Sequence, residues 1–251
     1  MSSTRVAIVI GGSGGIGRAV AERLAGDGMA VGVHYAGNKA RAEEVAAAIE
    51  AAGGRAIAVG GDVAEPAEME AAFDAVEEAF GGIDVVVNTA GIMVLAPIAE
   101  LDLDDLDRMH RTNIRGTVVV AQQAARRVRA GGAIVAFSTS VTRLSFPTYG
   151  GYVASKGAVE ALVPVLAREL RGRDITVNAV APGPTTSPRP SPSSPDPPAG
   201  STARPCSPTA DSPERPGHAP DHRHQRRVER VRGHERPRAR PRRPHRLRRH
   251  P

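Results

Sequence analysis

Short apolar runs alternate with longer helix-forming segments through the first 180 residues of the chain. The run 6–10 (VAIVI) consists of aliphatic residues that are mostly β-branched, which is typical of a strand buried on both faces. Similar runs recur after it at intervals that leave room for a helix. The predicted strands are 6–10, 29–34, 55–59, 83–87, 133–137 and 175–180. The predicted helices are 18–25, 39–52, 66–80, 104–113, 117–129 and 152–171.

This regular alternation of strands and helices predicts an α/β fold with a Rossmann-like, doubly wound parallel sheet. Buried parallel strands need a crossover between them, and each intervening helix is long enough to provide one. The chain length suits one α/β domain of ordinary size.

Three glycines, Gly11, Gly15 and Gly17, follow the first predicted strand directly and lead into the first helix. Glycine lets backbone N–H groups approach a pyrophosphate, and the N-terminus of a helix adds partial positive charge to the same place. An ordinary strand-to-helix turn explains the spacing equally well. The flanking strand and helix favour a dinucleotide site, in which Ser13 and Ile16 belong to the same turn.

The end of the second predicted strand indicates which dinucleotide binds. NAD sites usually place an acidic residue there to accept from the ribose 2′-hydroxyl. The segment 34–39 (HYAGNK) has no acid, whereas Asn38, Lys39 and Arg41 could receive a 2′-phosphate. The alternative is that Lys39 and Arg41 are solvated charges of the first helical turn. The missing acid is the firmer half of the argument for NADP(H).

Tyr152 and Lys156 are four residues apart near the start of a predicted helix, so their side chains share one face. An ammonium group near a phenol favours the phenolate, so we expect Lys156 to lower the tyrosine pKa toward neutrality. Such a tyrosine can exchange a proton with a carbonyl oxygen during hydride transfer. Tyr149 is the competing residue, but it is seven positions from Lys156.

The C-terminal part of the chain, residues 185–251, has a different composition. It contains sixteen arginines, fifteen prolines, no lysine, no aromatic residue and only Val228, Val231 and Leu247 as bulky aliphatics. Such a segment cannot bury a core, so we predict a disordered tail after a domain at 1–184. The tail also accounts for the net charge of +6 and could contact polyanions non-specifically. Its irregularly spaced histidines do not predict a metal site.

Several spaced motifs together resemble the short-chain dehydrogenases/reductases, and most closely the NADPH-dependent 3-oxoacyl-[acyl-carrier-protein] reductases. The resemblance covers residues 4–184. The motifs are Gly11-x-x-x-Gly15-x-Gly17, Asp62-Val63, Asn88-Thr89-Ala90-Gly91, Asn113, Ser138-Thr139-Ser140, Tyr152-x-x-x-Lys156 and Pro182-Gly183. Beyond Pro184 the family's C-terminal part, including its last strand, is missing or replaced.

The resemblance implies a role for each motif. Tyr152 would be the acid/base, and Lys156 would activate it and bind the nicotinamide ribose. Asn113 would anchor a proton-relay water, and a hydroxyl would hold the substrate carbonyl, with Thr139 as the first choice by spacing and Ser140 as the second. The remaining contacts to the cofactor would come from Asp62 and Val63 at the adenine, Asn88, Ala90 and Gly91 along its length, and Pro182 and Gly183 at the nicotinamide.

The sequence also departs from the family pattern. Ile10 stands where threonine is usual, and Thr89 stands where a second asparagine is usual. Pro164 falls inside the long helix 152–171, where proline should kink the helix. Because this helix often forms the family's subunit interface, a homo-oligomer is possible but not assured.

Together these observations predict a cytoplasmic NADPH-dependent oxidoreductase that reduces a ketone of the 3-oxoacyl type to a secondary alcohol. The alternative is an inactive, truncated Rossmann domain that binds only nucleotide. The partners we expect are a small carbonyl or alcohol substrate and no specific nucleic acid.

The N-terminal apolar run is too short for a signal peptide, and no stretch has the length of a membrane span. Cys206 is the only cysteine, so no disulfide framework or thiolate metal site is predicted.

Overall fold

The computed structural model describes residues 4–183, which form six strands and six α-helices, with one α-helix in each crossover except the fourth, which has two. The strands are β1 (Val6–Ile10), β2 (Ala30–Tyr35), β3 (Arg55–Gly60), β4 (Ile83–Asn88), β5 (Val128–Phe137) and β6 (Ile175–Val180). The helices are α1 (Gly15–Gly26), α2 (Lys39–Ala51), α3 (Pro66–Phe80), α4 (Leu103–Met109), α5 (Gly116–Arg127) and α6 (Gly150–Glu169).

The six strands form one parallel sheet in the order β3-β2-β1-β4-β5-β6. From β1 the chain moves outward through β2 to β3, then returns to the other side of β1 and continues through β4 and β5 to β6. The order therefore reverses between β1 and β4, and in such sheets ligands bind outside the carboxyl ends of the strands at this reversal. The prediction of a doubly wound, Rossmann-like parallel sheet is confirmed.

The sheet separates two apolar cores, as the unbroken apolar strands require. Ile8 and Ile10 of β1 pack with Phe73 of α3 on one face. Val9 packs with Val45 of α2 on the other face. Because successive strand residues point to opposite faces, one five-residue strand supplies both cores and is held rigidly between them.

Two boundaries differ from the prediction near β5. The predicted helix 117–129 ends at Arg127, and the strand begins at Val128, five residues before the predicted start. Val128 pairs with Ile83, but the register then shifts so that Ala133 pairs with Val85. Gly131 absorbs the irregularity with φ of +78°, and its N–H donates to the carbonyl of Asp174. The glycines that suggested a loop therefore form a bulge inside the strand.

The predicted helix 104–113 changes geometry at its end. After Met109 the chain forms a π-helical segment, His110–Arg115, which leads directly into α5. The Thr117 hydroxyl donates to the carbonyl of Asn113 at 2.7 Å. Wide turns of this kind often occur at functional sites, and this one carries Asn113. Hydrophobic periodicity does not distinguish a π turn from an α turn.

Pro164 lies on an exposed side of α6, and the helix continues past it to Glu169. Proline has no N–H to donate to the carbonyl of Glu160. The Glu160 carbonyl therefore loses its usual helical partner, which is the local cost of a proline within the helix.

The predictions for the C-terminal tail fall outside the described residues. These are the boundary at residues 184/185, the disorder of 185–251 and the replaced last strand. Within residues 4–183, none of the helices is both long and apolar enough to cross a bilayer. The same part of the chain contains no cluster of three side chains that could hold a metal ion.

Candidate active site

The site lies where the sheet order reverses, between the loops that follow β1 and β4. These loops are joined because Ile10 of β1 accepts two hydrogen bonds at its carbonyl from Thr89, one from the backbone N–H at 2.9 Å and one from the hydroxyl at 2.8 Å. The Asn88 amide holds the second loop from within, since its oxygen accepts from the Ala90 N–H and its nitrogen donates to the Thr117 hydroxyl. Thr89 thus ties the two loops together where the family pattern usually has asparagine.

The glycine turn after β1 needs glycine at particular positions. Gly11 has φ of +74°, a left-handed conformation that other residues rarely adopt. A Cβ atom on Gly17 would overlap the carbonyl oxygen of Gly11. A Cβ atom on Gly15 would meet nothing within 4 Å, so this position leaves open space in front of α1.

The N-terminus of α1 has the properties that a phosphate requires. The helix begins at Gly15, its N-cap Gly14 provides no side-chain hydrogen bond, and its first turn contains no acidic residue. The first N–H groups of the helix and its partial positive charge are therefore not satisfied by a side-chain cap. The open turn and this helix end fit the pyrophosphate of a dinucleotide.

His34 of β2 supports the glycine turn from beneath. Its Nδ1 accepts from the Gly11 N–H at 3.2 Å, and its carbonyl accepts from the Ser13 N–H at 3.4 Å. The ring is buried, with 1% of its surface exposed, and burial lowers the pKa of His34 to about 4. A neutral imidazole is required because a protonated Nδ1 could not accept from Gly11.

A cleft of about 410 Å³ opens beside these loops. It contains most of the residues that the sequence assigned to the nicotinamide end, from five separate parts of the chain. The lining residues are Ile16, Thr89, Gly91, Ile92, Met93, Phe137, Ser138, Thr139, Val141, Tyr149, Tyr152, Lys156, Pro182 and Gly183.

Lys156 is buried at the base of the cleft and donates from Nζ to the Phe137 carbonyl at 2.9 Å. Burial lowers the pKa of Lys156 to about 8. A Cβ atom on Gly91 would lie 3.0 Å from this Nζ and 3.2 Å from Asn113 Oδ1. Gly91 therefore allows the lysine amine and the asparagine amide to come close to the loop after β4.

Tyr152 is half-buried, and burial raises the pKa of its phenol. A hydrogen bond with the Thr139 hydroxyl opposes this shift, and Tyr149 adds to it. The expectation that Lys156 lowers the pKa of the phenol toward neutrality is therefore wrong for this structure. The physical reason is that burial outweighs the other effects, while the ammonium group is bound to the Phe137 carbonyl.

The three adjacent hydroxyls after β5 have different surroundings. Thr139 lines the cleft, as does Tyr152. Ser140 does not line the cleft, and its buried hydroxyl has no hydrogen-bond partner among the described residues. The Ser138 hydroxyl donates to Glu160 Oε1 at 2.7 Å. Of the two candidates, Thr139 lines the cleft and Ser140 does not, and the role of either hydroxyl toward a substrate stays a prediction.

Asn113 is fully buried and is held by protein groups on all sides. Its Oδ1 accepts from the Ile92 N–H at 2.8 Å, and its Nδ2 donates to the Ile92 carbonyl and to Ser155 Oγ, each at 2.9 Å. The Ser155 hydroxyl donates in turn to the Tyr152 carbonyl. The asparagine side chain therefore connects the loop after β4 to the helix that carries Tyr152.

The residues assigned to the adenosine end lie at the carboxyl ends of β2 and β3. Asn38 caps α2 by accepting from the Arg41 N–H at 3.0 Å, and Lys39 forms an exposed ion pair with Glu43. The Asp62 carboxylate accepts from Arg111 at 2.6 Å. Val63 turns inward and would contact a Cβ atom on Gly116 at 2.6 Å, so its backbone rather than its side chain is left to face a nucleotide.

Several supporting residues were not identified from the sequence. They are His34, Thr117, Ser155, Glu160 and Arg111. Ser155 and Glu160 carried a detectable signal, because both lie within two turns of Tyr152 on the same helix. Thr117 lies one helical turn from Asn113, whereas His34 and Arg111 contact the site across long sequence separations, which no local pattern reveals.

Comparison with known proteins agrees with this architecture. The family model for short chain dehydrogenase matches residues 5–197. A short-chain type dehydrogenase/reductase of Picea abies is 43% identical over 190 residues, covering 72% of this chain and 70% of the relative. The 3-oxoacyl-[acyl-carrier-protein] reductase FabG of Staphylococcus aureus is 40% identical over 185 residues, covering 73% of this chain and 75% of the relative.

Solved structures agree as well. A short chain dehydrogenase from Burkholderia cenocepacia, crystallised in complex with NADP, has a TM-score of 0.69 and 44% identity, covering 72% of this chain and 74% of the other. The strand order, the glycine turn at the reversal point and the cleft that contains Tyr152, Lys156 and Thr139 thus accompany a match across most of the described residues. The chain belongs to the short-chain dehydrogenase family.

Proposed function

We propose that this chain is an NADPH-dependent carbonyl reductase whose substrate is a ketone of the 3-oxoacyl type. The observation that carries the proposal is that Tyr152, Thr139 and Lys156 line one cleft at the end of a nucleotide-binding turn. The similarity to a 3-oxoacyl-[acyl-carrier-protein] reductase supports the substrate class, and that to a dehydrogenase crystallised with NADP supports the cofactor.

The described residues provide complementary groups for such a cofactor. The open turn at Gly15 and the uncapped N-terminus of α1 would hold the pyrophosphate. Lys156 would reach the nicotinamide ribose. Further contacts to the cofactor would come from Asn88, Ala90, Gly91, Pro182 and Gly183. Asp62 and Val63 would flank the adenine, and Asn38 and Lys39 would lie nearest a 2′-phosphate.

Tyr152 would donate the proton in the reaction. When bound, the nicotinamide supplies a hydride to the carbonyl carbon. The Tyr152 phenol gives its proton to the oxygen as negative charge develops there, and the Thr139 hydroxyl donates a hydrogen bond that fixes the carbonyl. A raised phenol pKa keeps Tyr152 protonated at neutral pH, which suits an acid in the reductive direction. Asn113 fixes the position of the helix that carries this acid.

Tyr152→Phe tests the assignment directly. The substitution keeps the ring but removes the proton, so we expect NADPH-linked reduction of a 3-oxoacyl thioester to fall by roughly 10²–10⁴-fold. Tyr149→Phe is the matched control, because Tyr149 lines the same cleft and should retain its rate. The proposal fails if Tyr152→Phe keeps more than about a tenth of the activity. NADPH binding without turnover in the unmodified chain would instead support the nucleotide-binding alternative.

Cofactor preference is tested separately by titrating the protein with NADPH and with NADH. We expect NADPH to bind more tightly by at least about tenfold, since β2 ends without an acidic residue to bind a ribose 2′-hydroxyl. Lys39→Ala with Arg41→Ala should reduce this ratio without changing the affinity for NADH. Equal affinity for the two dinucleotides would contradict the prediction that the protein prefers NADPH.

A further inference from the structure

We infer that Glu160 is a positioning residue that holds the loop bearing Thr139 against the helix bearing Tyr152 and Lys156. The inference rests on the proposed function and extends it to a residue outside the cleft lining. It concerns the relative placement of two reacting groups that come from different elements.

Glu160 receives hydrogen bonds from both sides of Thr139 in the sequence. Its Oε1 accepts from the Ser138 hydroxyl at 2.7 Å and from the Thr142 hydroxyl at 2.9 Å. Its Oε2 lies 3.7 Å from the guanidinium of Arg143. One carboxylate therefore holds the segment that starts at the end of β5 and continues through the 3₁₀ turn Ser140–Arg143.

The helix places this carboxylate at a fixed distance from the reacting groups. Glu160 follows Lys156 by one helical turn and Tyr152 by two, so the three side chains point to the same side of α6. A loop that is tied to Glu160 is thus tied to the same rigid element as the phenol. This arrangement keeps Thr139 and Tyr152 in the lining of one cleft although the two residues belong to different elements.

The three contacts of Glu160 differ in weight. Ser138 is buried, and among the described residues the one other partner of its hydroxyl is the Lys156 carbonyl at 3.5 Å, so loss of Glu160 would leave the hydroxyl almost unsatisfied. The Thr142 hydroxyl also lies 2.9 Å from the Thr139 carbonyl, so its single hydrogen is shared. Arg143 is highly exposed, and its ion pair contributes little.

The ionisation of Glu160 is consistent with this role. The hydrogen bond from Ser138 lowers the pKa of the Glu160 carboxyl group. The hydrogen bond from Thr142 and the positive charge of Arg143 lower this pKa further. The group is therefore a carboxylate at neutral pH, and it can accept from two hydroxyls at once.

Glu160→Leu and Glu160→Gln separate positioning from general stability. Leucine removes both acceptors, whereas glutamine keeps one acceptor oxygen. Glu169→Gln is the matched control, since Glu169 lies on the same helix and is exposed. For each protein we would measure kcat and the KM for NADPH and for a 3-oxoacyl thioester, the melting temperature, and amide hydrogen exchange.

We expect Glu160→Leu to lower kcat by at least tenfold while the KM for NADPH changes less than twofold. Glu160→Gln should stay within about threefold of the unmodified rate. Exchange should accelerate at Val141 and Leu144, whose N–H groups are bonded within the loop, and not at the core strand β1. Unchanged kcat and exchange in Glu160→Leu, or equal damage in the leucine and glutamine variants, would overturn the inference.

The exchange measurement does not depend on turnover. If the unmodified chain binds NADPH but reduces no carbonyl, the proposed function fails, and local exchange in the leucine variant still decides whether Glu160 holds the loop. Exchange that accelerates throughout the domain, with a matching fall in the melting temperature, would mean a general structural role and would reject positioning.

Discussion

The absent side chain of Gly91 lets Lys156 reach its position in the cleft. A Cβ atom on Gly91 would lie 3.0 Å from Lys156 Nζ, which is tighter than nine in ten Cβ contacts in proteins. The amine is held on its other side by the Phe137 carbonyl at 2.9 Å, so it has little room to withdraw. The loop after β4 thus affects the lysine directly, in addition to any contact with a cofactor.

Gly91→Ala should therefore disturb Lys156 without unfolding the domain. We expect the affinity for NADPH to fall by about tenfold, or 1.4 kcal/mol, and carbonyl reduction to fall at least as much. Isothermal titration and steady-state assays provide the measurements. Gly157→Ala is the control, since that glycine follows Lys156 on α6 and a Cβ atom there would meet nothing within 4 Å. Equal effects of the two substitutions would contradict this account.

The activity should decline as pH rises through the pKa of Lys156. Burial lowers this pKa from 10.5 to about 8, so the ammonium form is complete at pH 6.5 and largely lost by pH 9.5. We expect kcat/KM for reduction and the affinity for NADPH to decrease across this range. Lys156→Met should bind NADPH more weakly at pH 7 and show no inflection near pH 8. An inflection of the same size in the variant would assign the titration to another group.

Gly17→Ala and Gly15→Ala should differ sharply in stability. The new methyl group at position 17 would overlap the Gly11 carbonyl, whereas the one at position 15 meets open space. Overpacking should lower the free energy of unfolding of Gly17→Ala by about 2 kcal/mol or more. Gly15→Ala should unfold at nearly the unmodified urea concentration. If both variants were equally stable, the close approach of α1 to the glycine turn would be incorrect.

Mild acid should destabilise the domain through His34. The unfolded histidine binds its proton near pH 6.5, but the folded one does so only near pH 4, so stability is complete above pH 6.5 and is lost as pH falls through this window. Between pH 7 and pH 5 we expect a loss of about 2 kcal/mol in urea unfolding. His34→Asn retains an acceptor for the Gly11 N–H and does not titrate.

The variant should therefore lose much less stability than the unmodified protein between these two pH values. Carboxylates whose pKa is lowered, such as the buried Asp84, become protonated only below this pH window. They therefore do not contribute to the difference between the two proteins. Equal losses in the two proteins would show that His34 does not carry the effect.

The sequence by itself determined the class of fold and the family to which the chain belongs. The apolar run of β1 has no polar face, which is typical of a strand buried on both sides. The glycines after it mark a tight turn, in which a side chain at Gly17 would clash with the Gly11 carbonyl. The four-residue spacing of Tyr152 and Lys156 requires a shared helical face. Each of these features is local, because the constraint and the residues that satisfy it lie within a few positions.

Only the tertiary structure decided how these groups act on one another. The pKa of Tyr152 depends on the burial of its phenol and on the hydroxyl of Thr139. The pKa of Lys156 depends on the burial of its amine, which lies next to Gly91. The choice between Thr139 and Ser140 depends on which hydroxyl the turn directs into the cleft.

Glu160, His34 and Asn113 act through contacts across 18 to 42 positions of the chain. Desolvation and hydrogen bonding depend on which atoms approach one another in space. Sequence spacing limits such approaches only within a single helix or strand, which is why these relationships emerged only from the folded chain.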